Sequence, residues 1–148
     1  MVKDNSVIVV GTGPNWKEEL AASLRDYPEA DIMAVNKAIQ EIDVPITHAV
    51  SMHLALIEPW VKDRAEKNEI KYHTIFGGAD IGMFEYNFEY PWMDLSSGMF
   101  AIRVAIELGY STIYLAGIPL DHENNLVPIR NCILDIKDKF SNVVIPDH

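Results

Sequence analysis

Short, β-branched apolar runs alternate along this chain with stretches of helical period. Ser6–Val10 reads SVIVV and stops at Gly11-Thr12-Gly13-Pro14. Trp16, Leu20 and Leu24 then recur four residues apart, which predicts one face of a helix over 16–24. Asp31–Val35 and residues 46–50 are the second and third strand candidates. Residues 54–67 carry a helical pattern that Pro59 interrupts, so the predicted start lies nearer Pro59. Residues 70–76 form a fourth strand candidate. A helix over 99–108 is closed by Gly109, and a fifth strand at Thr112–Ala116 by Gly117. Residues 129–140 read helical, and 143–145 read as a short last strand.

Strands this short and uniformly apolar are normally buried on both faces, as in a parallel sheet covered by crossover helices. The predicted class is α/β: a doubly wound, mainly parallel sheet with helices on both faces, Rossmann-like. Such sheets bind ligands outside the carboxyl ends of their strands. The candidate positions are therefore those just after each strand.

Residues 84–92 break the alternation. Phe84, Tyr86, Phe88, Tyr90 and Trp92 alternate with Glu85, Asn87, Glu89 and Pro91. Period two predicts an extended ribbon with one aromatic face, within a ribbon or lid insertion near 77–95. Such a face serves either to stack on a base or sugar or, the more usual use, to pack on the core or another subunit. Five aromatics on one ribbon are hard for a small monomer to hide, which predicts a homo-oligomer.

At 148 residues the chain suits a single domain, 1–148. Its net charge of −10, with no basic run, argues against nucleic acid as a partner. No apolar stretch approaches the ~20 residues of a membrane helix, and the N-terminus lacks a signal-peptide layout. A cytoplasmic protein without a membrane span is expected. The single Cys132 forms no intrachain bridge and sits in a helical apolar pattern as a small core residue.

Four places carry candidate chemistry. Gly11, Thr12, Gly13, Pro14 and Asn15 link the first strand to the first helix, where glycines either admit a ligand to the backbone or simply make a tight turn. The third-glycine position of a dinucleotide fingerprint is Trp16, and the second strand ends in Asn36 instead of an acid. NAD is disfavoured, and there is no Walker A sequence. Ser96, Ser97 and Gly98 open the apolar 99–108 helix; either serine can cap it, and its N-terminus offers a phosphate seat. Asp121 and His122 follow the fifth strand as an acid–base pair or as ordinary loop residues. His48 falls inside a strand as a core or partner-bonded histidine, whereas His53 lies beyond the strand end as the better ligand candidate. No metal-ligand spacing occurs, so neither metal nor cofactor is predicted.

With those residues in view, VIVVGTGPNWKEEL, AVNKA and SSGMFAIRVAIELGYSTIYLAGIPLD resemble the bacterial lipooligosaccharide sialyltransferases of glycosyltransferase family 42. They also resemble the related domain of motility accessory factors and archaeal pterin diphosphokinase-like proteins. In the sialyltransferases a Gly-Asn-Gly-Pro-Ser loop, a strand-end Asn and a Thr-Ser-Gly helix start surround the nucleotide of CMP-sialic acid. Gly11, Gly13 and Pro14 match the loop, with Thr12 and Asn15 in place of its Asn and Ser. Asn36 matches the strand-end Asn. Ser97 and Gly98 match the helix start, with Ser96 in place of Thr. Pro119-Leu120-Asp121 stands where the family has Asp and a phosphate-contacting Tyr. The chain reads as a shortened form without the family's C-terminal lid and catalytic His.

The resemblance implies a nucleotide or nucleotide-sugar binding domain and, if an enzyme, a metal-independent glycosyltransferase of sialyltransferase type. Its ligand would be a small-molecule nucleotide or nucleotide sugar, with a possible glycan acceptor. His53, Asp121 or His122 would then serve as the base for the acceptor hydroxyl. The alternatives are a non-catalytic nucleotide-binding or oligomeric interaction module and a pterin diphosphokinase-like phosphotransferase. The last needs a metal on the transferred phosphates, for which no acidic cluster is evident.

Overall fold

A computed structural model describes residues 5–74, 84–87, 97–118 and 143–144. The elements in chain order are β1 (Ser6–Val10), α1 (Trp16–Asp26), β2 (Asp31–Val35), α2 (Ala38–Glu41), β3 (His48–Val50) and α3 (Leu54–Val61). They continue as β4 (Lys71–Thr74), β5 (Phe84–Asn87), α4 (Ser97–Glu107), β6 (Thr112–Ala116) and β7 (Val143–Val144). The strands form one sheet in the order β5-β4-β3-β2-β1-β6-β7. Every pairing is parallel. The order reverses between β1 and β6, which makes this the switch point of a Rossmann-like α/β sheet.

Alternate residues of β1, β2, β3 and β6 feed two separate cores. Val7, Val9, Met33, Val35 and Val50 pack with Phe100, Ala101, Val104 and Ala105 of α4. Ile8, Val10, Ile32, Ala34 and Ala49 pack with Leu20 of α1, Ile39 of α2 and Ile57 of α3. Strands apolar at both parities are thus covered on both faces, as their sequence predicts. Among the described residues, α4 covers the centre of its face, which explains why it is apolar round most of its girth.

The departures from the sequence expectations have local causes. α2 is a single turn, too short to generate a period, although its Ala38 and Ile39 are fully buried. α3 starts at Leu54, well before Pro59, and ends at Val61 rather than running to 67. The missing N–H of Pro59 weakens a short, largely exposed helix. Beyond it Arg64 draws the chain away from the helix axis. The Arg64 guanidinium donates to the carbonyls of Ile39 (2.9 Å), Ile42 (2.6 Å) and Val44 (2.6 Å). It also pairs with both carboxylate oxygens of Glu66, at 3.1 and 2.8 Å. Glu66 in turn accepts the Ile46 N–H at 3.1 Å. This staple ties the C-terminus of α2 and the approach to β3 to the chain after α3.

β3 begins at His48, not 46, and α4 begins two residues earlier than expected, at Ser97. Residues 84–87 of the aromatic segment are extended, as their period of two predicts, and pair with β4 as a parallel strand. The remainder of that segment, the 129–140 helix and Cys132 lie outside the described residues.

Candidate functional site

The carboxyl edge of the sheet brings together two groups of predicted residues with different properties. The first is the Gly11 loop at the switch point. Gly11 N–H bonds Ala116 O at 2.9 Å and Gly13 N–H bonds Gly117 O at 2.8 Å, so both amides are committed to the β6 end. A Cβ on Gly11 would lie 2.7 Å from Gly117 O. Close packing of two backbones therefore accounts for this glycine. Asn15 precedes α1 in the left-handed region (φ 63°) and its side chain makes no cap bond. The first turn of α1 carries Glu18 and Glu19, and Glu19 Oε1 accepts the Gly117 N–H at 2.9 Å. Carboxylates there already complement the positive end of the helix dipole and compete with any incoming phosphate.

The second group stands over β2 and β3. Asn36 ends β2 in the left-handed region (φ 55°), a conformation asparagine tolerates better than most residues. Its N–H bonds Val50 O at 3.1 Å. Ser51, fully buried, donates its hydroxyl to Asn36 Oδ1 at 2.7 Å and accepts the His53 N–H at 2.9 Å. The next residue, Met52, donates its N–H to Ser97 Oγ at 3.1 Å. Ser97 is the first residue of α4 and its hydroxyl tethers that helix to the β3–α3 loop. Gly98 is buried beside it. The first turn of α4 has no acidic residue, in contrast to α1. A helix N-terminus, a partly exposed amide and a serine hydroxyl thus converge at one edge, a set of groups suited to an oxygen-rich anionic ligand.

The His53 side chain is exposed near this group, its backbone held by Ser51. Thr12 stands exposed in the Gly11 loop. Ser96, Asp121 and His122 lie outside the described residues. Among the described residues no group of three His, Cys, Asp or Glu is placed to hold a metal ion. No helix among them is long and apolar enough to cross a membrane. Clefts of about 340, 500 and 290 Å³ open beside Trp60, Tyr72 and Trp16 respectively, and none of the three is lined by Asn36, Ser51, Met52, His53 or Ser97.

Below the edge, on the α4 face, lies a buried polar chain that periodicity could not reveal. His73 and His48 meet Nε2 to Nδ1 at 3.0 Å, and His48 Nε2 meets the Tyr110 hydroxyl at 2.8 Å. Tyr110 donates to Asp31 Oδ2 at 2.6 Å. That last bond fixes the direction of the rest. Tyr110 must accept from His48 Nε2–H, leaving His48 Nδ1 to accept from His73 Nε2–H, with both rings neutral. His48 is thus a partner-bonded core histidine, as its place inside a strand predicts. Burial lowers the His48 pKa to about 4 against the opposing pull of Asp31. It lowers His73 to about 3, helped by His48 and Lys71. Burial and then the Asp31 carboxylate push the Tyr110 phenol well above its usual range.

An acid-sensitive fold follows. Unfolded histidine takes up a proton near pH 6.5, whereas these rings resist protonation down to about 4 and 3. Stability is therefore complete above pH 6.5 and falls as pH drops toward 4. A tenfold difference in proton affinity between the folded and unfolded chain is worth roughly 1.4 kcal/mol, so the loss at pH 5 is on the order of a few kcal/mol. Urea unfolding at pH 7.5 and pH 5 should show this drop, and equal midpoints would contradict the neutral chain.

Compared with protein-family models, curated proteins and solved structures, the chain gives no match.

Proposed function

We propose that the carboxyl edge over β2, β3 and the start of α4 binds a nucleotide or nucleotide sugar. The observation that carries this is the linked set Asn36–Ser51 and Met52–Ser97, which joins an amide and a hydroxyl to the acid-free N-terminus of α4. Phosphate oxygens would take the α4 amides and the Ser97 hydroxyl, and the resemblance to sialyltransferases supplies the nucleotide sugar as substrate class. Were a glycosyl group transferred, the leaving phosphate would be stabilised by these donors without requiring a metal, with His53, Asp121 or His122 as the acceptor base. Gly11, Gly13, Pro14 and Asn15 would form the rim of the seat more than its floor, because two of their amides already serve the fold.

One observation favours a second reading, a non-catalytic module. Gly11 and Gly117 at the switch point are explained by their packing against each other, with no ligand required. Calorimetric titration with CMP, CMP-sialic acid, UDP and GDP sugars, each with and without Mg²⁺, separates the two. Saturable binding of one nucleotide is expected. Ser97→Ala should weaken it ~10–100-fold, the worth of a hydrogen bond to a charged group. The same change leaves Met52 N–H without its acceptor and should cost about 1 kcal/mol of stability. Binding by none of these ligands, or unchanged affinity in folded Ser97→Ala, would remove the seat.

A further inference from the structure

We infer that Ser51 is a positioning residue that turns the Asn36 amide so that the proposed seat offers donors, and no acceptor, at that point. The inference rests on the nucleotide reading for its ligand but on hydrogen-bond arithmetic for its geometry. Ser51 Oγ has one proton. It already accepts the His53 N–H at 2.9 Å, and the hydroxyl is fully buried. Its proton therefore needs an acceptor, and the Asn36 atom 2.7 Å away meets that need only as Oδ1. The opposite orientation would point Nδ2 at Ser51 and strand a buried hydroxyl proton, a costly arrangement. With Oδ1 held inward, the two Nδ2 protons lie on the other side of the planar group. Among the described residues they meet no acceptor, and Asn36 is only partly buried.

Ser97 adds a donor of the same sign. Its Oγ accepts from Met52, so the hydroxyl proton is the group it can give. Ser51 and Met52 are neighbours in sequence, which keeps the amide and the hydroxyl on one short stretch of rim. The ligand class selected is one presenting an oxygen with lone pairs and no proton, whether phosphoryl, carboxylate or carbonyl. An amino or ammonium group at that point is rejected.

Two variants at Asn36 test the polarity, and one at Ser51 tests the positioning. Asn36→Gly suits the left-handed backbone and removes the outward donor together with the Oδ1 that Ser51 bonds, leaving no acceptor in its place. Asn36→Asp keeps the bond from Ser51 but turns an acceptor outward. With CMP as probe, Asn36→Asp should bind at least tenfold more weakly than Asn36→Gly. Equal or tighter binding by Asn36→Asp would overturn the assigned polarity. Without any ligand, ¹⁵N relaxation of the Asn36 side-chain amide should report a rigid group. In Ser51→Ala it should become mobile while backbone order is retained. An amide that stays rigid in folded Ser51→Ala, or one already mobile in the parent, would overturn the positioning role. If the parent binds none of CMP, CMP-sialic acid, UDP or GDP sugars, the nucleotide reading fails, and relaxation alone decides for or against Ser51; if another of these binds in place of CMP, it serves as the probe.

Discussion

Gly117→Ala is expected to destabilise the protein far more than Gly109→Ala, although both glycines lie at positive φ. Gly117 sits at φ 63° and Gly109 at φ 85°. Each alanine incurs the left-handed backbone cost of about 1 kcal/mol. At Gly109 nothing lies within 4 Å of the added Cβ, so the cost ends there. At Gly117 the Cβ would fall 2.2 Å from Trp16 Cβ and 2.5 Å from Gly11 O. Neither atom is the free end of a side chain, so β6 must part from α1 and from the Gly11 loop. Overpacking of that kind adds roughly 1–3 kcal/mol or more. The displaced loop would also lose the Gly13 N–H bond to Gly117 O and the Gly117 N–H bond to Glu19. Thermal or urea unfolding of the two variants checks the difference. Similar losses would mean that the close approach at the switch point is relaxed cheaply.

Arg64→Ala is the second large effect, expected at about 3 kcal/mol: the pair is only part-buried, but three backbone carbonyls lose their donor along with Glu66. Arg64 and Glu66 have side chains only 10% and 17% exposed. The alanine would leave Glu66 unpaired and the carbonyls of Ile39, Ile42 and Val44 without their donor. Arg64→Lys should not rescue the fold, because an ammonium cannot reproduce a planar fork that serves three carbonyls and a carboxylate. Glu66 is held below the usual carboxylate range, with Arg64 and backbone donors outweighing its burial. Its contribution is therefore present above about pH 4.5 and is lost as pH falls below that, a window more acidic than that of the histidines. A urea midpoint of Arg64→Lys close to that of the parent would contradict this role for the staple.

Much of the fold was legible because apolar strands at both parities, helical period and closing glycines all point the same way. Ser6–Val10, Asp31–Val35 and Thr112–Ala116 occur at the predicted bounds. Gly109 and Gly117 were legible as stops because each ends an element at positive φ. What escaped was long-range and polar. Nothing in the spacing joins Arg64 to Val44, 20 residues earlier, or Tyr110 to Asp31, 79 residues away. The same limit applies at the edge of the sheet. Asn36 and Ser97 were legible as strand-end and helix-start residues, but Ser51 as the link to Asn36 was not, since a serine after a strand looks like any loop serine. Conversely, the Gly-Thr-Gly-Pro turn reads equally as a ligand cradle or a tight strand-to-helix turn, and Gly11 is accounted for by its backbone contact with Gly117.

Chemical-shift mapping in a titration of the ¹⁵N-labelled protein with CMP tests the proposed seat most directly. Saturable changes are expected at Asn36, Ser51, Met52, His53, Ser97 and Gly98, with smaller ones in the first turn of α1. Saturable changes confined to the clefts beside Trp16 or Trp60 would contradict it, as would none at all with CMP, UDP or GDP sugars at millimolar concentration.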